Sequence, residues 1–219
     1  MYINFLEAHH KKTKRNYLER VNKIDKATSA LKAKKWDYDY WDGSRDINYG
    51  GYHYDQRWVP IAQKMISHYN LNEDSKILDI GCGKGFLLYE FKRLLPNCEI
   101  TGLDISKYAI ENSKVEIKDN LILGNASKLP FKDNYFDLVI SLNTLHNLYC
   151  FDLLSSLKEI ERVSKKNKYI CVESYRNEVE KVNLLYWQVT CESFFTPEEW
   201  GWFFMEAKYS GDHSFIYFE

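Results

Sequence analysis

A glycine-rich loop is the part of the sequence whose residue types and spacing best suit ligand chemistry. The run DIGCGKG at 79–85 follows an apolar segment, and Asp104 ends the next apolar segment, twenty-five residues after Asp79. Glycines allow a backbone to approach a ligand closely, and a carboxylate at Asp104 is placed to accept hydrogen bonds from two ribose hydroxyls. Phe86 stands where a dinucleotide fingerprint has its third glycine. The loop therefore predicts a site for a nucleoside without a pyrophosphate.

The segments around this loop alternate between predicted strands and predicted helices. Near-continuous apolar runs predict strands, and apolar residues at three-to-four spacing predict helices. The predicted strands are 76–80, 98–103, 121–123, 136–142, 169–173 and 214–219, and the predicted helices are 84–95, 107–118, 151–163 and 197–208. This order predicts an α/β fold with a doubly wound, mostly parallel, Rossmann-like sheet, in which both acids lie at the carboxyl ends of strands.

A different kind of sequence precedes this alternation. Residues 4–35 predict one helix without proline or glycine, and residues 36–58 contain eight aromatic residues and three glycines among acids. A further helix is predicted at 54–69, with Pro60 near its first turn. We therefore expect residues 1–69 to form a helical and aromatic extension that caps the active site, and residues 70–219 to form the main domain.

The composition excludes several classes of protein. Of the 219 residues, 45% are hydrophobic and 28% are charged, which is typical of a globular chain. No apolar run approaches the ~20 residues that a membrane span requires, so we expect a soluble, cytoplasmic protein that does not bind a membrane. The five cysteines include no C-x-x-C pair and no histidine at metal-binding spacing. They predict reduced thiols, with neither a disulfide framework nor a metal site.

The formal net charge of −1 conceals a basic N-terminus. Residues 1–35 contain ten lysines and arginines against three acids, whereas the rest of the chain contains twenty against twenty-eight. On a helix, Lys11, Lys14 and Arg15 would share a face that could bind the phosphate groups of a substrate. A solvated helix without a ligand is the alternative. Nucleic acid is the weakest interpretation, because the rest of the chain is acidic.

Four motifs in order resemble those of the class I S-adenosylmethionine-dependent methyltransferases. ILDIGCGKG is similar to the family's first motif, ITGLDIS to its ribose-binding segment, LILGNASKLPFKDNYFDLVIS to its adenine loop and fourth strand, and LKEIERVSKKNKYICVES to the helix and strand that follow. The resemblance covers residues 74–175. It implies a seven-stranded sheet, S-adenosylmethionine as cofactor and S-adenosylhomocysteine as product. The C-terminus departs from the family, since only one strand is predicted after residue 208, so the sheet is expected to be shortened there.

The cofactor-binding residues follow from the resemblance, position by position. Asn125 stands where the family usually has aspartate; its side-chain oxygen can still accept from the adenine amino group, so weaker recognition is expected. Arg57 could pair with the cofactor carboxylate, and the rings of Tyr49, Tyr52 and Tyr54 could face the sulfonium. The remaining residues are assigned to three parts of the cofactor. Asp104 is assigned to the ribose, and Ile105 and Ala126 to the adenine. The methionine half is assigned to Asp79, Gly81, Cys82, Gly83, Gly85 and Asn143.

Methyl transfer needs a base only when the acceptor keeps its proton. For a hydroxyl acceptor, the first candidate is His146, just past the fourth strand; the alternative is that this residue is a wall of the pocket. Glu173 and Tyr175, at the end of the fifth strand, are further catalytic candidates. Arg176 and Glu192 are candidates for binding the substrate. The segment SLNTLHN lacks the Pro-Pro-aromatic sequence of methyltransferases that modify the amino groups of adenine or glutamine.

The sequence therefore predicts O-methylation of a small, anionic acceptor. The expected acceptor is a phosphorylated or nucleotide-linked bacterial metabolite, such as a sugar or phosphoramidate precursor for capsule or lipopolysaccharide assembly. This expectation comes from a loose similarity of the whole chain to a bacterial methyltransferase subgroup of that kind. An RNA methyltransferase and a non-catalytic, cofactor-binding partner module are the alternatives. Oligomerisation through the N-terminal segment is left open.

Overall fold

The computed structural model describes residues 1–7 and 16–219, and a parallel sheet lies at its centre. The sheet order is β3-β2-β1-β4-β5-β6, and every neighbouring pair is parallel. The strands are β1 (Lys76–Ile80), β2 (Glu99–Asp104), β3 (Leu121–Leu123), β4 (Phe136–Leu142), β5 (Ser164–Glu173) and β6 (Asp212–Ile216).

This strand order confirms the predicted doubly wound, Rossmann-like fold. The described residues contain six strands rather than the seven that the resemblance implies, in agreement with the expected shortening at the C-terminus. The physical reason lies at the C-terminus, where residues 207–219 supply one parallel strand beside β5 instead of a hairpin. The predicted strand at 214–219 therefore exists, shifted to Asp212–Ile216.

Helices cover both faces of the sheet. Six of them surround the strands: α4 (Val59–Tyr69), α5 (Phe86–Leu94), α6 (Lys107–Glu111), α7 (Cys150–Val163), α8 (Glu178–Trp187) and α9 (Pro197–Glu206). Two short 3-10 helices span Val115–Asn120 and Leu145–Asn147. The predicted helix at 107–118 is thus divided into α6 and a 3-10 helix, and α8 was not predicted at all.

Alternation along the strands divides the core into two clusters. Ile77 and Leu78 are neighbours in β1, yet Ile77 packs in the cluster that contains α4 and α5, and Leu78 packs in the cluster that contains α7 and α9. Successive side chains of a strand point to opposite faces, so a strand buried on both sides has no polar alternation. This explains why the central strands read as continuous apolar runs.

The N-terminal segment differs from the prediction of one helix over 4–35. Its described part forms α1 (Tyr17–Lys23), α2 (Lys26–Ala33) and α3 (Tyr38–Trp41). Ile24 is extended, and the Asp25 side chain accepts a hydrogen bond from the backbone N–H of Thr28 at 2.7 Å. An aspartate N-cap begins a new helix at this point, which is why the apolar spacing is interrupted.

The first residues pack on the main fold. Tyr2 forms a parallel bridge with His213 of β6, and Leu6 is completely buried in the same cluster as α4. A third, smaller cluster lies over the other end of the sheet and includes Tyr40 and Trp41. We call residues 36–58, which supply most of its aromatic side chains, the aromatic collar. No helix of the described ranges has both the length and the apolar character of a membrane span.

Candidate active site

A cleft of about 280 Å³ lies at the carboxyl ends of β1, β2 and β4. This is the edge at which open α/β sheets bind ligands. One wall is formed by the strand ends and their loops, and the other by the aromatic collar. The lining residues used below are Trp36, Tyr40, Trp41, Tyr49, Tyr52, Trp58, Asp79, Gly81, Cys82, Gly83, Asp104, Ile105, Asn125, Ala126, Asn143, Thr144, Asn147, Leu148 and Asp152.

The glycine-rich loop is shaped by two close approaches. Gly81 has φ +76°, and a Cβ atom there would lie 2.0 Å from Oγ1 of Thr144. Gly83 has φ +55°, and a Cβ atom there would lie 2.6 Å from the ring of Trp41. Any side chain would strain this backbone and meet these neighbours, so the loop requires glycine. Gly85 precedes the first residue of α5 and does not line the cleft.

Asp104 is held by the backbone of two loops. Its Oδ2 accepts a hydrogen bond from the N–H of Gly83, and its Oδ1 accepts one from the N–H of Ser106, both at 2.7 Å. Burial raises the pKa of this carboxyl, and the two backbone N–H groups act in the opposite direction. Each carboxylate oxygen retains a further lone pair, so both can accept a ribose hydroxyl.

Asp79 gives the cleft a second buried carboxyl. Its exposure is 5%, and burial, with a smaller effect from Asp104, raises its pKa to about 8. The described lining residues include no lysine and no arginine. A cationic ligand would favour the ionised form of Asp79, whereas an anionic ligand would oppose it. The cleft therefore fits S-adenosylmethionine, whose sulfonium and ammonium groups outweigh its single carboxylate.

Ile105, Asn125 and Ala126, which the resemblance assigns to adenine, all line the cleft. The Asn125 Oδ1 accepts hydrogen bonds from the N–H of Ser127 at 2.9 Å and from its Oγ at 3.0 Å. The oxygen that the sequence analysis assigned to the adenine amino group therefore already has two local donors. The Ile105 side chain is 57% exposed.

The loop after β4 supplies three polar lining residues. Asn143 has φ +57°, which is a left-handed conformation that asparagine tolerates. The Oδ1 atoms of Asn143 and Asn147 are buried and have no hydrogen-bond partner among residues 1–7 and 16–219. Buried polar atoms are normally paired, so these two oxygens fit a site that a ligand completes. Thr144 and Asn147 were missed, although both stand in the quoted SLNTLHN segment.

His146 and Glu173 lie next to each other but do not line the cleft. The His146 Nδ1 accepts the backbone N–H of Glu173 at 3.3 Å, and its Nε2 is 3.4 Å from Oε2 of Glu173. Gln188 donates a hydrogen bond to the other carboxylate oxygen. Burial lowers the pKa of His146 to about 3. The ring is therefore neutral, and since Nδ1 accepts, its proton is on Nε2 and faces Glu173.

The remaining candidates form contacts outside the cleft. Tyr175 is buried in the main core. Arg57 forms an ion pair with Asp55, Arg176 with Glu180 and Glu219, and Glu192 with Lys34. None of these side chains is among the described lining residues. Lys11, Lys14 and Arg15 lie outside the described residues.

Several of the lining residues that were not predicted come from the aromatic collar. Tyr49 and Tyr52 were predicted beside the cofactor and line the cleft, whereas Trp36, Tyr40, Trp41 and Trp58 line it without having been predicted. The Tyr54 hydroxyl instead donates a hydrogen bond to Glu90, and Tyr54 is not among the described lining residues. The density of aromatic residues was the available signal. Asp152, in the first turn of α7, also lines the cleft, and its position in the sequence carried no comparable signal. Within residues 1–7 and 16–219, no group of histidine, cysteine and acidic side chains could hold a metal ion.

The chain is similar to known methyltransferases in sequence. The family model described as "Methyltransferase domain" matches residues 71–208. The chain is 31% identical over 127 residues to a demethylmenaquinone methyltransferase of Anoxybacillus flavithermus, which covers 54% of this chain and 53% of that protein. It is 29% identical over 191 residues to the cycloartenol-C-24-methyltransferase of Arabidopsis thaliana, which covers 80% of this chain and 52% of that protein. The chain thus spans about half the length of these curated relatives.

Solved structures share the fold. The YcgJ protein from Bacillus subtilis has a TM-score of 0.55 and 24% identity, covering 67% of this chain and 66% of that chain. A methyltransferase structure from Bacillus halodurans, titled as putative, has a TM-score of 0.54 and 19% identity, covering 67% of each chain. At these identities the likeness shows the fold alone. Since the family model covers more than half of the sequence and the cleft fits the cofactor, the chain belongs to the class I S-adenosylmethionine-dependent methyltransferases.

Proposed function

We propose that the protein transfers the methyl group of S-adenosylmethionine to a small-molecule acceptor. One observation carries this proposal: a single cleft joins the glycine-rich loop and Asp104 on one wall to the aromatic collar on the other. A cleft that bound a nucleoside and nothing else would not need a second wall of large side chains. The extension of residues 1–69 is, in this proposal, the cap that completes the acceptor site.

Residues of both walls would hold the cofactor. Asp104 would accept the ribose hydroxyls, Gly81 and Gly83 would allow close approach of the backbone, and Asp79 would face the cationic end. When bound, S-adenosylmethionine supplies an electrophilic methyl group on sulfur. The protein then has to align the acceptor, and alignment of this kind contributes about 7–11 kcal/mol in well-oriented reactions. The aromatic collar would exclude water from the reacting groups.

We assign His146 and Glu173 a positioning role rather than direct contact with the acceptor. The carbonyl oxygen of His146 accepts the backbone N–H groups of Glu192 and Ser193, both at 2.9 Å. The His146 ring in turn contacts Glu173 at the end of β5. The pair therefore joins the loop after β4 to the segment that follows α8. Tyr175 and Arg57 remain candidates from the sequence alone.

We propose that the acceptor is a phosphorylated or nucleotide-linked bacterial metabolite used in capsule or lipopolysaccharide assembly, methylated on oxygen. The support comes from the basic cluster Lys11, Lys14 and Arg15 and from the loose similarity of the sequence to a bacterial methyltransferase subgroup of that kind. The described lining is acidic and aromatic, so the phosphate groups would bind outside the cleft, on the N-terminal segment and at Arg176. Nucleotide-linked precursors are cytoplasmic, which would place the reaction there.

An uncharged, ring-containing acceptor is the second candidate. The described lining contains six aromatic collar residues and no lysine or arginine. Such a wall suits an apolar ring better than a phosphate. Demethylmenaquinone, named in the relative from Anoxybacillus flavithermus, is an acceptor of this chemistry.

Labelled S-adenosylmethionine separates these candidates. The protein is incubated with nucleotide-linked sugars, phosphorylated sugars, a demethylmenaquinone and total RNA, and labelled products are identified by mass spectrometry. Label in a phosphorylated or nucleotide-linked compound supports the proposal, and label in the quinone supports the second candidate. Label in RNA contradicts both candidates and supports an RNA methyltransferase. Tight S-adenosylhomocysteine binding without turnover on any acceptor also contradicts both and supports a non-catalytic module.

A further inference from the structure

We propose that Lys84 is a positioning residue that holds the aromatic collar closed over the bound cofactor through its ion pair with Asp42. Lys84 belongs to the glycine-rich loop, whereas Asp42 belongs to the collar. The family assignment concerns the glycines of this loop and says nothing about the lysine between them. The inference rests on the proposed function, because it concerns the exchange of that function's cofactor and product.

The hydrogen bonds of the Lys84 ammonium group all go to the collar. Its side chain is 5% exposed, and its Nζ donates to both carboxylate oxygens of Asp42, at 2.8 and 2.7 Å, and to the carbonyl oxygen of Tyr52 at 3.0 Å. All three N–H donors of the ammonium group are thus used. Asp42 also accepts the Tyr108 hydroxyl at 2.8 Å and the Tyr52 backbone N–H at 3.0 Å. The pair is a buried network rather than a surface salt bridge.

A second attachment lies at the other cofactor loop. The indole N–H of Trp41 donates to Oγ of Ser106 at 2.9 Å, and this hydroxyl donates to the carbonyl oxygen of Trp36. The Ser106 backbone N–H donates to Asp104, which would bind the ribose. The collar is therefore attached beside both cofactor-binding elements.

These attachments determine how a ligand can leave the cleft. Lys84 follows Gly83 directly, and Trp41 covers Gly83 so closely that a Cβ atom would collide with its ring. A cofactor would lie between the strand ends and the rings of Tyr40, Trp41, Tyr49 and Tyr52. It could exchange only when the collar moves away from the loop. Such a movement requires breaking the Lys84–Asp42 pair together with the Trp41–Ser106 hydrogen bond.

Lys168 offers a matched control elsewhere in the molecule. Its side chain is 4% exposed, and its Nζ lies 2.6 Å from Oε1 of Glu161. It also donates to the hydroxyl of Ser210 at 3.0 Å. The Lys168 side chain is as buried as that of Lys84, although Glu161 is more exposed than Asp42, and this pair contacts neither the collar nor the cleft. Loss of either lysine leaves a partly buried carboxylate without its cation, so both losses should destabilise the fold.

The test measures S-adenosylhomocysteine dissociation by stopped-flow fluorescence and backbone hydrogen exchange by mass spectrometry. Lys84→Met should release the ligand at least tenfold faster than wild type and speed exchange at least tenfold in residues 36–58. Lys168→Met should lower Tm while leaving the dissociation rate and the collar's exchange unchanged. The double variant Lys84→Met/Asp42→Asn, which removes both charges, should regain Tm and still release the ligand rapidly.

The inference fails if Lys84→Met releases S-adenosylhomocysteine at the wild-type rate, or if Lys168→Met accelerates release equally. Should Lys84→Met not fold, Asp42→Asn replaces it, with the same expected increase and the same overturning result. If wild type binds no S-adenosylhomocysteine, the proposed function fails instead. In that case, hydrogen exchange in residues 36–58 of Lys84→Met still tests whether Lys84 holds the collar closed. Exchange at the wild-type rate overturns that role.

Discussion

The indole N–H of Trp41 donates a hydrogen bond to Oγ of Ser106 at 2.9 Å, and so joins the N-terminal collar to the loop that follows β2. The same Ser106 donates its backbone N–H to Asp104. One serine therefore connects the residue expected to bind ribose with the segment that covers it. This relationship could not be inferred from the two sequence motifs, which are 65 residues apart.

Trp41→Phe should distinguish the contribution of the Trp41–Ser106 hydrogen bond from that of the aromatic ring. Phenylalanine keeps an aromatic side chain but cannot donate to Ser106, so the free energy of unfolding should fall by about 1 kcal/mol. The affinity for S-adenosylhomocysteine should fall severalfold. Calorimetric titration and urea unfolding measure these effects, with Trp202→Phe as the control because Trp202 is 51% exposed. Equal effects of the two substitutions would contradict this role.

Asp104→Ala should abolish most cofactor binding. Hydrogen bonds to a charged acceptor contribute about 1.5–3 kcal/mol each, so loss of two ribose contacts should weaken S-adenosylhomocysteine binding more than about 100-fold. Isothermal titration calorimetry measures the change. Asp119→Ala, at an exposed position in the 3-10 helix, is the control. An unchanged Kd in Asp104→Ala would remove this residue from the site.

Two glycine substitutions should have opposite effects. Gly81→Ala introduces a Cβ atom 2.0 Å from the Thr144 hydroxyl oxygen at φ +76°, so it should destabilise the protein and prevent S-adenosylhomocysteine binding. Gly201→Ala lies in α9, where nothing is within 4 Å of the new atom. It should stabilise the protein by about 0.5–1 kcal/mol, because alanine favours a helix. Thermal unfolding and titration of both variants check the pair; a ligand-binding Gly81→Ala would contradict the close approach.

Asp79 and His146 should affect the pH dependence of stability in opposite directions. Folding raises the pKa of Asp79 from 3.8 to about 8, so the folded state binds more protons and stability falls as pH rises through this range. Folding lowers the pKa of His146 from 6.5 to about 3, so the unfolded state binds more protons below pH 6.5. The free energy of unfolding therefore decreases as pH falls below 6.5. The two effects on the free energy of unfolding offset each other between about pH 4 and pH 6.5. Above pH 6.5 only the effect of Asp79 remains.

Urea unfolding between pH 6.5 and pH 8 tests this difference. With about 1.4 kcal/mol for each pH unit, the Asp79 contribution should fall by about 2 kcal/mol over the range. Asp79→Asn removes the titrating group, so its free energy of unfolding should lack that decrease. If the wild-type and Asp79→Asn curves run parallel, Asp79 does not carry the raised pKa.

Asn125→Asp should improve recognition of adenine. The Asn125 oxygen is occupied by two donors of Ser127, so the free end of its carboxamide is an NH₂ donor. Aspartate keeps the turn and presents a second acceptor, which suits the adenine amino group. S-adenosylhomocysteine should bind several times more tightly to Asn125→Asp, whereas the hypoxanthine analogue S-inosylhomocysteine should not. Equal gains for both ligands would show that Asn125 does not contact the base.

The prediction of the main fold from the sequence was accurate for local reasons. Strands that are buried on both faces have continuous apolar sequences. For this reason β1, β3 and β4 have the predicted bounds. The N-terminal segment was predicted less well, because the N-cap at Asp25 competes locally with a longer helix. The shortening of the sheet was indicated by the single strand predicted after residue 208, whereas the parallel pairing of that strand with β5 depends on contacts between distant segments.

The sequence by itself determined the family, the parallel sheet, and the positions of the glycine loop and of Asp104 at its carboxyl edge, because these depend on local spacing and on strand order. Only the tertiary structure decided which side chains share the cleft. It placed His146 behind the wall, paired Arg57 with Asp55, and brought the aromatic collar onto Gly83. Contacts between segments that are distant in sequence depend on packing and on the pairing of buried charges, as Lys84 and Asp42 illustrate.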